Sequence, residues 1–123
     1  MNRKLALFAL VAGISVFSGA RAADLVCSGT VEQISYHANN TFMLRLSSMN
    51  VPVFFCSPDA THTVAGTSYT TGPETCKAMI ALLITARESG RTITGMYFDG
   101  AAVPAACNAW TNWASANIRN FSY

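Results

Sequence analysis

Charge is scarce in this sequence. Only 11% of its 123 residues are Asp, Glu, Lys or Arg, and there are two histidines. No cluster of Lys and Arg is present, so the electrostatic footprint of a nucleic-acid-binding protein is missing. No C-x-x-C pair is present either, which argues against a zinc site and against a thioredoxin-type redox motif. There is no G-x-S-x-G elbow. The six carboxylates never pair on a common helix face, and neither His37 nor His62 has a ligand-type neighbour three or four residues away. Both histidines lie near turns and are expected in solvent. With no site assembled, the chain reads as a non-enzyme with no metal and no cofactor. Past residue 22 no apolar stretch reaches the ~20 residues that cross a bilayer, so no membrane insertion is expected.

What is present begins with a short basic head, Asn2-Arg3-Lys4. An apolar run from Leu5 to Phe17 follows, and then Ala20-Arg21-Ala22. Basic head, apolar core and A-x-A site in that order are a secretory signal. Residues 1–22 are read as a signal peptide of bacterial type, cleaved after Ala22, and 23–123 as one secreted or periplasmic domain. Cleavage removes Arg3, Lys4 and Arg21. Arg45, Lys77, Arg87, Arg91 and Arg119 then face Asp24, Glu32, Asp59, Glu74, Glu88 and Asp99, a net charge of −1. The overall basicity thus belongs to the signal. The domain itself has a nearly neutral, hydroxyl-rich surface.

Cys27, Cys56, Cys76 and Cys107 all lie in the mature part. An even count in a small exported domain reads as two disulfides, with three connectivities open. Cys56–Cys76, from a strand end to a helix start, and Cys27–Cys107, from the first strand to the C-terminal region, are the favoured pairs. Each contributes roughly 2–4 kcal/mol, mainly by restricting the unfolded chain. A domain this small buries a modest core and gains from such links.

Periodicity gives the elements. Residues 25–36 read as a first strand and Asn39-Asn40 as a turn. In 41–48, Phe42, Leu44 and Leu46 alternate with Met43, Arg45 and Ser47, the pattern of a half-buried strand. A third strand runs from Pro52 to Cys56. Residues 58–72 are a loop with a short strand near Tyr69. Thr71-Gly72-Pro73-Glu74 has the form of a capping box, and Gly90 suits a left-handed helix end. The apolar run Ala78–Ile84 between them predicts a helix buried on more than one side. Residues 92–98 are a strand, Asp99-Gly100 a turn, and 114–123 a closing strand. Three strands, one helix and two strands make a mainly β, OB-fold-like small barrel, a fold whose faces and loops bind oligosaccharides or oligonucleotides.

Trp110 and Trp113 stand among Asn and Thr, a combination that offers a sugar an apolar platform with hydrogen bonds beside it. Indoles near a disulfide also serve as core packing.

Two stretches resemble a known family. Asp24-Leu25-Val26-Cys27-Ser28-Gly29-Thr30-Val31 is similar to an Asp-x-x-x-Ser-Gly-x-Val first strand. Ala78 to Phe98 is an apolar helix ending at Gly90, followed by a strand ending in Met96-Tyr97-Phe98. Both features resemble the B subunits of AB5 toxins of the subtilase-cytotoxin and pertussis-like (typhoid toxin) type. In that family the first-strand Ser binds the carboxylate of a sialic acid, helped by an Asp four residues earlier and a Tyr after the helix. The resemblance implies Ser28, Asp24 and Tyr97 as glycan-binding residues. It also implies a homopentamer with helices lining a pore, a catalytic A subunit, and sialylated cell-surface glycans as the target. A stand-alone periplasmic or secreted binding module, or a hydrolase inhibitor without a toxin partner, is the other reading. A small exported enzyme would need a convergent polar site that the sequence does not display.

Overall fold

The computed structural model describes residues 23–123; residues 1–22, read from sequence as a signal peptide, lie outside the described residues. Its elements are β1 (Ala23–His37), β2 (Thr41–Leu46), β3 (Val53–Cys56), α1 (Pro73–Glu88), β4 (Thr92–Gly100) and β5 (Asn117–Ser122). The strands form one antiparallel sheet in the order β3-β2-β1-β4-β5.

β1 is central because it is long enough to serve two neighbours. Its first half pairs with β4 and its second half with β2. The register shifts at Cys27/Gly29 and again at Val31/Gln33. Bulges of this kind bend a strand and increase its twist, so the sheet curls. Its two edges then meet at one point. Phe54 donates its N–H to the Ala114 carbonyl, and Ala116 donates to the Phe54 carbonyl, both at 2.9 Å. This parallel bridge between Phe54 and Ser115 links the edges without a ladder. The result is barrel-like and mainly β, with one helix, as the pattern of elements predicts, but the sheet is not closed.

The turn after β1 is a three-residue loop whose last residue, Asn40, has φ 60°, and Asn40 donates its N–H to the His37 carbonyl. A residue in this conformation at the end of a three-residue loop is a common way to close a hairpin. Leu44 and Leu46 face the core with Val53, Phe55, Leu83, Ile93, Met96 and Phe98. Burying a side chain of this size contributes roughly 1.5–3 kcal/mol.

The helix differs from its sequence pattern at two points. Gly72 is the N-cap and makes no side-chain cap bond. No capping box forms, because Thr71 is buried and donates its hydroxyl to Asn117 Oδ1 (3.3 Å), while Glu74 pairs with Lys77 (2.9 Å). Within the chain α1 also buries only one stripe: Cys76, Met79, Leu83 and Ala86. Leu82 and Ile84 stay 48% and 47% exposed. The C-terminus is as expected. Gly90 has φ 65°, Gly90 N–H donates to Arg87 O, and Arg91 N–H donates to Ala86 O, which is a Schellman motif.

Both favoured disulfides are present, Cys27–Cys107 and Cys56–Cys76. Cys56 and Cys76 are fully buried, whereas Cys107 is only partly covered. Two such bonds and no free thiol among the described residues fit an oxidising compartment, periplasmic or extracellular. No described helix is long and apolar enough to cross a membrane.

Candidate functional site

In the first half of β1, Leu25, Cys27 and Val31 turn inward, while Asp24, Val26, Ser28 and Thr30 turn outward. Val26 lies opposite Tyr97 on β4, and Tyr97 lies opposite Asn120 on β5. All three are exposed. Asp24, Ser28 and Tyr97 therefore share one outward face, with Tyr97 level with the point midway between the other two. Ser28 sits in the first bulge, and its hydroxyl donates to the Thr94 carbonyl at 2.8 Å. Thr94 Oγ1 is 2.9 Å from Ser122 Oγ, so this end of the face is a hydroxyl cluster. Gly95 leaves a shallow hollow beside it. A Cβ there would lie 3.6 Å from Val26 Cγ1 and 3.7 Å from Tyr97 Cε2.

Gly29, next to Ser28, is required by the close approach of two segments of the chain. Its φ is +141°, and a Cβ would stand 2.3 Å from Ser47 Oγ. That hydroxyl accepts the Thr30 N–H at 3.1 Å.

The Asp24 end of the face opens into a polar cleft of about 480 Å³, lined by Asp24, Gly66, Thr67, Ser68, Tyr69, Asp99 and Arg119. Asp99 is buried and organises it. Arg119 Nε donates to Asp99 Oδ2 at 2.8 Å and its Nη2 donates to Oδ1. The Tyr69 hydroxyl donates to Oδ2 at 2.6 Å. Hydrogen bonds from Arg119 hold the Asp99 carboxyl below the usual carboxylate range, against the opposing effect of burial. Burial, then the hydrogen bond to Asp99, pushes the Tyr69 phenol up to about 12. Arg119 reaches Asp24 at 3.9 Å. The cleft thus holds two carboxylates against one guanidinium.

The loop wall of the cleft is fixed by Asn117, which is fully buried. Its Nδ2 donates to Thr67 Oγ1 (2.8 Å) and to the Tyr69 carbonyl (3.2 Å). No strand forms near Tyr69. Its backbone carbonyl is taken by Asn117 and its hydroxyl by Asp99, and the only pairing in the loop is the isolated bridge His62–Thr71.

No family model matches this chain, and no curated protein or solved structure matches it. The chemistry of the face is hydroxyl donors and acceptors, one aromatic ring and an acidic end, a set suited to a polyhydroxylated ligand.

The other residues singled out from sequence divide. Trp110 is 3% exposed and packs edge-on against Phe98, with centroids 5.2 Å apart. Asn50 grips its backbone through two hydrogen bonds, at 2.8 and 2.9 Å. Trp110 is a core residue and offers no face to a sugar. Trp113 is 64% exposed but lies over β2 and β3, with Met43 and His37, not on the Ser28 face. His62 is half-buried: its Nε2 is covered and has no hydrogen-bond partner, and burial lowers its pKa. Tyr69, Asp99 and Arg119 carried no motif. Asp99-Gly100 has the form of a turn, but it continues β4, because its carboxylate is held by β5 and the loop.

Proposed function

We propose that residues 23–123, exported after cleavage at Ala22, act as the glycan-binding B subunit of an AB5-type toxin. In this reading the subunit binds sialylated cell-surface glycans and carries a catalytic A subunit. The observation that supports it is the common outward face of Asp24, Ser28 and Tyr97 around the hollow at Gly95.

The face is electrostatically graded, which favours one orientation of the sugar. Asp24 and Asp99 against Arg119 leave one end with a single net negative charge, so a ligand carboxylate belongs at the Ser28 end, roughly 13 Å away at ~3.3 Å per residue. There the Ser28 hydroxyl turns from the Thr94 carbonyl to the ligand. That carbonyl is at the surface, so water replaces the lost bond at little cost. Tyr97 supplies a ring face and a hydroxyl, and Asp24 accepts from sugar hydroxyls.

Ring formation belongs to the same proposal. Exposed Ile84 lines an apolar groove of about 350 Å³ with Tyr36, Phe42, Pro58, Lys77, Ile80 and Ala81, and exposed Leu82 lies on the other flank of α1, because residues two apart on a helix point to different sides. Covering these surfaces with neighbouring copies gives the homopentamer its driving force.

The test is binding of a sialylated trisaccharide and its asialo counterpart, with the native mass measured on the same sample. A pentamer that prefers the sialylated ligand, and loses about tenfold in affinity on Ser28→Ala, is the expected result; a bond to a charged group contributes ~1.5–3 kcal/mol. Unchanged affinity in a folded Ser28→Ala protein rejects the site. A monomer rejects the ring.

A further inference from the structure

We infer that Trp113 is the platform of a second ligand site, one that takes an uncharged hexopyranose. The site is a groove of about 390 Å³ lined by Gln33, His37, Met43, Pro52, Asn112 and Trp113. It lies on the outer side of β1, β2 and β3, away from the Ser28 face, and stands whether or not that face binds a sialylated glycan.

The first observation is conformational. Trp113 has φ 66°. It is the third residue of the turn Thr111–Ala114, which Ala114 N–H closes on the Thr111 carbonyl. Positive φ at this place is normally taken by Gly or Asn. A non-glycine residue there carries a cost of order 1–3 kcal/mol, and Asn112 is one position away. Burial does not repay the cost, because Trp113 remains 64% exposed. Strain kept by a bulky side chain that stays in solvent is a mark of function.

The second observation is what the strain achieves. It brings the indole onto Phe54, with planes 27° apart and centroids at 6.0 Å. His37 meets both rings edge-on, at 5.2 Å from Trp113 and 5.4 Å from Phe54. The three rings brace one another and leave the other face of the indole open. Phe54 is itself anchored by the bridge to Ala114 and Ala116, so the platform is mounted at the point where the sheet edges meet.

The third observation is the rim. His37 accepts the Asn39 N–H through Nδ1, which leaves Nε2 for a ligand. Gln33 gives one amide hydrogen to Ser35 Oγ (3.2 Å) and keeps its carbonyl oxygen. With Asn112 these are hydrogen-bond donors and acceptors around an apolar ring. Small-ligand clefts of ~300–1,000 Å³ have this make-up. A pyranose fits it, with one C–H face on the indole and its hydroxyls at the amides. None of the lining residues is an acid, Lys or Arg, so no permanently charged side chain is on hand to pair with a charged sugar.

The experiment is titration of the oxidised protein with methyl β-galactopyranoside, methyl β-glucopyranoside and lactose, read by tryptophan fluorescence and acrylamide quenching. Trp110 is buried, so the quenchable signal is that of Trp113. The expected result is saturable protection of Trp113 by at least one of these sugars. Trp113→Gly should weaken binding at least tenfold, measured by ligand-observed NMR, and Trp113→Phe should weaken it less. Ser28→Ala should leave it unchanged. No saturable protection by any of the three overturns the inference, as does NMR binding that survives Trp113→Gly. Self-association that Trp113→Gly abolishes, with no sugar effect, also overturns it and assigns the groove to a protein partner. If Trp113→Gly fails to fold, Asn112→Ala and Gln33→Ala decide, and unchanged sugar affinity in both overturns the site.

Discussion

Arg119 meets Asp99 side-on, its Nε and Nη2 each giving a hydrogen to a different carboxylate oxygen. Tyr69 adds a third donor from the opposite wall. Three segments far apart in sequence are joined at one buried carboxylate.

Acid should dissolve that junction. The folded state holds the Asp99 pKa below its ordinary value, so it contributes stability that is full above about pH 4. This stability is lost as pH falls through the lower folded value. Urea unfolding between pH 7 and 2 should show the loss. Asp99→Asn, less stable at neutral pH by about 1–3 kcal/mol, should show a flatter slope below pH 4. At the alkaline end Tyr69 acts in the opposite sense. Its pKa is raised from 10.0 to about 12, so its contribution is full below pH 10 and is lost as pH rises toward 12. Tyr69→Phe should remove that loss.

His62 produces a separate step. Burial lowers its pKa, so the fold prefers it neutral. Its contribution is present above about pH 6.5 and is lost as pH falls below that. Tm should therefore decline from pH 7 to 5, before Asp99 titrates. His62→Gln should remove this step and leave the lower one in place. A decline unchanged in the variant would assign it to another group.

Two glycines close to Ser28 should behave differently when changed to alanine. Gly29→Ala forces a side chain into the Ser47 contact at positive φ, and a loss of about 2 kcal/mol or more is expected. Gly95→Ala meets only ordinary contacts at 3.6 and 3.7 Å, so Tm should change little, by less than ~1 kcal/mol equivalent. Yet the new methyl group fills the hollow next to Tyr97. Weaker binding of the sialylated trisaccharide at unchanged Tm is the expected outcome; a glycan array and a thermal melt on the same preparation check it.

Replacing Cys56 and Cys76 together by Ala should cost about 2–4 kcal/mol. The two sulfurs are buried between β3 and the first turn of α1, so the helix should lose its anchor before the sheet does. Hydrogen exchange should rise first at Pro73–Met79 and later at β1.

Much of this architecture was legible because it depends on local pattern. Phe42, Leu44 and Leu46 announce one strand face. Gly90 announces the helix end, and the even count of four cysteines announces two disulfides while leaving three connectivities open. What was not legible depends on distant partners. Thr71 looks like a helix cap but is claimed by Asn117, 46 residues away. Met43 alternates as a solvent-facing residue but is buried beside Phe54, its partner across β2 and β3. Trp110 and Trp113 are three residues apart with similar neighbours. Asn50 draws one into the core, and a left-handed turn holds the other outside. Of the candidate site, Asp24, Ser28 and Tyr97 emerged as expectations from the family resemblance. Tyr69, Asp99 and Arg119 did not, because a carboxylate shared by a loop, β4 and β5 leaves no spacing in the chain.

The unequal covering of the two disulfides sets an order in which a reductant can act. Cys56–Cys76 is sealed in the core, but Cys107 is partly open to solvent, and a thiolate must reach a sulfur to exchange with it. Cys27–Cys107 should therefore open first. It closes a span of 80 residues, and Cys27 is the neighbour of Ser28. On entering a reducing compartment the protein would slacken first at the end of the sheet that carries this face, while the helix stays pinned. The Ser28 face would loosen before the fold is lost.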